Sequence, residues 1–222
     1  MTASAEIRAI ENALFDEIAT SDTLKVRHAL PPTEAIVLAT RGTRTLYIED
    51  NWGPAIPYGP VLHEDGTRNH GYRRLKGNQD AIDMLPEVQG YPELAEFLRS
   101  INAASSTIES VGCEKWSRED VSEQQKFWTM SCYVDVIFSD LSANEEPQNL
   151  LRLATRLAAS MEGCESWWAS LELGLQRLRA MAGGECPWGL LIRVSANGRT
   201  EDEARRLWGH SLGQLQDALA RG

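Results

Sequence analysis

No apolar run in this sequence approaches the length of a membrane span, so no spanning helix is expected. The opening residues, Met1-Thr2-Ala3-Ser4-Ala5-Glu6-Ile7-Arg8, lack the basic start and apolar stretch of a secretory signal. Export is therefore not expected, and the location read from the sequence is cytoplasmic. Cysteine is scarce. The four residues Cys113, Cys132, Cys164 and Cys186 form no C-x-x-C pair and match no zinc-finger or ribbon spacing. In a reducing compartment such thiols act as small buried hydrophobes.

Signature motifs are missing too. No G-x-G-x-x-G follows a strand, and neither a P-loop nor a G-x-S-x-G elbow occurs. No cofactor is expected on this basis. Positive charge is also short, with 22 Lys and Arg against 32 Asp and Glu and a net charge of −10. Phosphate backbones are held largely by Lys and Arg, so bulk nucleic-acid binding is not expected. An anionic membrane surface is excluded on the same ground. A free cytosolic protein, or one that meets a basic partner, fits better.

What is present is ordinary globular composition, 42% hydrophobic and 24% charged. The length suits one domain over 1–222, with a subdivision at 1–90 and 91–222 as the alternative. Apolar spacing predicts helices at 3–20, 78–85, 92–104, from about Pro147 to Gly163, and from Thr200 to about Ala220. Asn144 reads as the cap of the fourth helix, and Thr200–Glu203 as a capping box for the fifth. Strand patterns cover 35–39, 45–48, 107–116, 127–138, 166–178 and 188–195, with a hairpin turn at Arg41-Gly42. Between 49 and 77 regular structure fades, and five Gly and three Pro crowd a long loop.

Gly112-Cys113-Glu114-Lys115-Trp116 and Gly163-Cys164-Glu165-Ser166-Trp167 share a G-C-E-x-W pattern. The echo suggests helix–strand–strand repeats at 91–139 and 146–195. The fold class is α+β: a two-layer sandwich with a mainly antiparallel sheet and helices on one face, ferredoxin-like or related.

The loop carries the candidate binding residues. His63 and His70, beside Glu64 and Asp65, are chemically able to hold a divalent metal. A solvated polar turn explains them more simply, and no metal site is expected. Tyr58, Tyr72, Arg73 and Arg74, with Arg68 and Lys76, form a basic and aromatic island able to hold an anionic ligand. His28 and His210 stand alone, with His210 read as a packed or capping residue. Seven Trp are many for this length. Trp167 and Trp168 cannot share one side of a strand, so Trp52, Trp167 and Trp168 are the candidate interface anchors.

Two functions follow. The first is a non-catalytic interaction protein, of the immunity or inhibitor kind that neutralises a basic toxin, binding its partner through an acidic surface. The second is an enzyme or small-ligand binder with its site in the 51–77 loop.

Overall fold

The computed structural model describes residues 35–41, 43–62, 64, 66, 68–121, 126–161, 168–181 and 188–220. The helix expected at 3–20 lies outside them, as do His28, Cys164, Trp167 and Cys186. In chain order the strands are β1 (Ala35–Arg41), β2 (Arg44–Ile56), β3 (Val61–Leu62) and β4 (Arg68–Asn69). A short helix α1 (Gln79–Asp83) follows, then a 3-10 turn at Pro86–Val88 and helix α2 (Pro92–Ile101). The rest runs β5 (Ile108–Val121), β6 (Lys126–Phe138), α3 (Pro147–Ser160), β7 (Ala169–Met181), β8 (Trp188–Gly198) and α4 (Glu201–Ala220). The class is α+β, as expected.

Six strands form one sheet in the order β1-β2-β7-β8-β6-β5, and β3 and β4 form a separate ribbon. Every pairing in the large sheet is antiparallel except β2 with β7. Because β8 is antiparallel to both β6 and β7, those two strands run parallel with β8 inserted between them. Helix α3 makes the connection from β6 to β7, as a parallel crossover requires.

The helices pack on the sheet and on one another, so they share one face of it. On α2 the buried residues Leu94, Leu98 and Ile101 recur at helical spacing. Pro92 opens that helix, where its missing N–H costs nothing. The start of α4 makes one half of the expected box at Thr200, and its other bond falls one residue earlier, on Arg199. The Glu203 N–H donates to Thr200 Oγ1 (3.2 Å), while the Glu203 carboxylate accepts from the Arg199 N–H (2.8 Å). Opposite α4 on β6, Met130, Cys132, Val134 and Val136 point into the core at alternate positions. Arg205 of α4 clasps both carboxylate oxygens of Glu93 on α2, each at 3.0 Å. Burial opposes ionisation of Glu93, but the bonds and charge of Arg205 outweigh it and hold the carboxyl below its ordinary range.

Three expectations are corrected. Strand β2 does not end at Ile48; it continues to Ile56 through Gly53-Pro54. Its register with β7 shifts between Glu49 and Trp52, and among the described residues β1 pairs with it as far as Glu49. Among the described residues no strand lies on the other side of β2 beyond that point, and a proline is tolerated at such an edge. Strand β5 runs past Trp116 to Val121, because β6 supplies a backbone partner for each polar residue there. Asn144 does not cap α3; Glu146 occupies that position. Asn144 ends a 3-10 turn and is fully buried. Its side chain accepts from the Phe138 N–H (2.8 Å) and donates to the Phe138 carbonyl (2.9 Å), latching the end of β6.

Of the G-C-E-x-W copies, Gly112–Trp116 lies inside β5, and 163–167 lies outside the described residues. Among the described residues, no helix is long and apolar enough to cross a membrane.

Candidate functional site

The face of the sheet opposite the helices is where polar groups collect. Asp135 and Ile137 of β6 alternate away from the helix-facing residues. Both are buried. Gln176 of β7 donates from Nε2 to Asp135 Oδ1 (2.9 Å), which satisfies part of a carboxylate that burial alone would penalise. Ile137 joins Ile56, Val111 and Leu178 in a small second core, and Tyr58 and Tyr72 pack against it.

The segment 57–76 reaches this face because β2 delivers it there. Tyr72 donates its N–H to the Tyr58 carbonyl (2.9 Å), and the two rings meet edge to face at 6.2 Å. The excursion between them folds back on itself as the β3–β4 ribbon. Gly71 closes it with a positive φ of 84°, and a side chain there would meet the Pro60 nitrogen at 3.0 Å.

On the sheet side, β5 carries a bulge: Ser110 pairs with Val136 and Gly112 with Asp135, leaving Val111 unpaired. The fully buried Asn102, just past α2, fixes this spot. It accepts from the Ser110 N–H (3.0 Å) and donates to Ser110 Oγ (2.8 Å). The absent Cβ at Gly112 matters directly. A methyl there would stand 3.1 Å from Asp135 Oδ2 and 3.5 Å from Tyr58 Oη. Those two oxygens therefore converge over a bare stretch of backbone.

A cavity of about 130 Å³ opens here. Its floor is Ser110–Glu114 of β5 with Tyr133 of β6. Segment 57–76 contributes Tyr58, Arg68, His70 and Arg73, and the stretch around the 3-10 turn contributes Leu85 and Glu87. Burial pushes the Tyr58 hydroxyl up to about 12, helped by Cys113, Asp135 and Glu87. Burial, then the Asp135 and Glu114 charges, raise Tyr133 in the same direction. Both phenols thus stay protonated at neutral pH and can donate hydrogen bonds. Burial and the Glu87 charge also hold the Cys113 thiol protonated. The cavity presents recognition groups rather than a thiolate nucleophile.

The expected residues divide as follows. Tyr58, His70 and Arg73 line the cavity together. Tyr72 braces Tyr58 from behind, and its hydroxyl is raised by burial and by Glu109. Arg74 instead donates to the nearly buried Glu109 (3.2 Å). Lys76 donates to the carbonyls of Ser106 and Ile108, so it ties the segment to the start of β5. His63 and Asp65 lie outside the described residues. Among the described residues, no three His, Cys, Asp or Glu side chains gather as ligands for a metal ion.

Of the interface candidates, Trp168 is half-buried, the Trp52 side chain is outside the described set, and so is Trp167. Trp188 and Trp208 are core residues. His210 is exposed on α4 rather than packed, a correction that follows from its place on the helix face away from Trp208. Tyr133, Glu87 and Gly112 were not anticipated. The available signal was Asp135, a carboxylate inside an otherwise apolar strand.

No family model matches the chain, and neither a curated protein nor a solved structure matches it.

Proposed function

We propose that this chain binds a small polar ligand in the cavity between the 58–73 segment and β5. The observation that carries the reading is the convergence of Tyr58, Tyr133, Arg73 and Glu87 around one concave space, with a bare glycine in its floor. Turnover of the bound compound would make the protein an enzyme; an unchanged compound would make it a binding protein. The test is thermal unfolding against a panel of phosphates, carboxylates, amino acids, nucleosides and sugars. A ligand at a hundredfold excess over its Kd adds about 2.7 kcal/mol, a rise of roughly 5–10 °C for a chain of this size. Arg73 is exposed, so Arg73→Ala should fold normally and lose much of that rise. A panel that leaves the wild-type Tm unmoved would sink the proposal, as would a rise that survives Arg73→Ala and Tyr133→Phe undiminished.

A second reading keeps a different observation in its favour. The β3–β4 ribbon exposes Val61 and Leu62, at 50% and 72%, on a chain of net charge −10. These suit a cytoplasmic interaction protein of the immunity or inhibitor kind, docking a basic partner by an apolar tip and a negative field. Expected is a basic protein captured from the host at low salt by wild type and lost with Leu62→Asp. Capture that ignores Leu62→Asp tells against it.

The architecture supports a finer reading as well. The parallel β6–α3–β7 crossover with β8 inserted supports reading the sheet as ferredoxin-like, and the order α2–β5–β6 then α3–β7–β8 supports two helix–strand–strand units of one domain.

A further inference from the structure

Resting on the small-ligand reading of this cavity, we infer that its ligand is a small zwitterion of the amino-acid type, with its carboxylate held by Arg68 and Arg73 and its ammonium by Glu87 and Glu114. The inference comes from how charge is distributed around the space. Arg68, His70 and Arg73 all come from one stretch of backbone. Glu87 comes from the 3-10 turn and Glu114 from β5, with the Asp135 carboxylate beside Gly112. The two sets do not neutralise each other. Arg74 spends its charge on Glu109, but Arg68, Arg73, Glu87 and Glu114 form no ion pair among the described residues.

A simple anion would be drawn to the arginines and repelled by Glu87 and Glu114. A simple cation meets the reverse. A ligand carrying both signs pairs with both sets. The phenol rings reinforce this. Tyr58 and Tyr133 offer π faces to an ammonium and O–H donors to a carboxylate. Size points the same way. A cavity of about 130 Å³ is near the volume that encloses a benzene-sized molecule, which is roughly the six to eight heavy atoms of alanine, serine or threonine.

The test is calorimetric titration of the full chain with the proteinogenic L-amino acids, then with the methyl ester and the N-acetyl derivative of the tightest binder. The ester lacks the negative group and the N-acetyl compound lacks the positive one. Each should bind at least about tenfold more weakly than the parent, since each loses a charge-assisted contact. Arg73→Gln should weaken the free amino acid by about the same factor while leaving the ester unchanged. Glu87→Gln should do so while leaving the N-acetyl compound unchanged. Derivatives that bind as well as the parent would overturn the zwitterion, and so would silence from every amino acid. If phosphates or sugars bind where amino acids do not, the ligand class falls and the cavity reading stands. If nothing binds, both fall.

Discussion

Trp208→Ala is expected to cost roughly 3–5 kcal/mol, the range for truncating a large buried aromatic. Total stabilities are about 5–15 kcal/mol, so the variant should sit near the edge of unfolding. Trp208 is the largest side chain with no exposed surface at all. It projects from α4 into the helix-covered core, and Tyr91 meets it edge to face at 6.2 Å. Tyr91 is in turn covered by two cations, with Lys115 Nζ 3.8 Å from its ring centre and the Arg205 guanidinium 4.9 Å away. Removing the indole therefore empties one cavity and loosens a stack that joins α2, α4 and β5.

Among the described residues the indole Nε1–H has no hydrogen-bond partner of acceptable geometry, and it lies beside the Cys132 thiol, which burial pushes up to about 12. Trp208→Phe should therefore be mild, within about 1.5 kcal/mol, because it keeps an aromatic ring and removes an unsatisfied donor. Urea unfolding at constant m-value measures both. An alanine variant that loses less than about 1 kcal/mol would show that this core collapses around the gap.

Gly198→Ala is the second large effect, at roughly 3 kcal/mol or more. A Cβ at Gly198 would stand 2.3 Å from the Ala204 nitrogen and 2.8 Å from the Glu203 carbonyl carbon. Both atoms are backbone of the first turn of α4, so no rotamer change relieves the clash. Either the end of β8 or the capped helix start has to move. Gly213, on the same helix, is the control: it is exposed and a Cβ there meets nothing within 4 Å. Gly213→Ala should stabilise by about 0.5–1 kcal/mol through helix propensity alone. Melting curves should thus move in opposite directions, down by about 6–12 °C at position 198 and up by a few degrees at 213. Equal shifts at the two positions would remove the steric explanation.

Where local pattern and tertiary demand agree, the chain is easy to read. Helices α2 and α3 carry broad apolar faces, β6 is aromatic and β-branched, and Thr200–Glu203 caps α4 as its spacing implies. The misreadings share one cause, a pairing partner that the local pattern does not show. Gly53-Pro54 looks like a strand breaker until β7 is known to lie beside it. Residues 117–121 show no apolar alternation, and only β6 makes them a strand. Asn144 looks like a cap, but a buried latch to Phe138 uses it instead.

The cavity was half legible for the same reason. Tyr58, His70 and Arg73 stand out by composition within one loop. Tyr133, Glu87 and Gly112 come from a strand, a turn and a bulge that only the topology brings together.

The single parallel seam has a consequence for how the protein forms. The β5–β6 and β7–β8 hairpins close over short loops and can form early. The β2–β7 pairing sets Leu46 beside Leu173, two residues far apart in the chain. Loop closure of that span is slow, because its entropy is lost before the pairing returns any free energy. Segment 57–76 hangs from β2, so the cavity takes Tyr58, His70 and Arg73 from a segment whose strand this seam holds to the rest of the sheet.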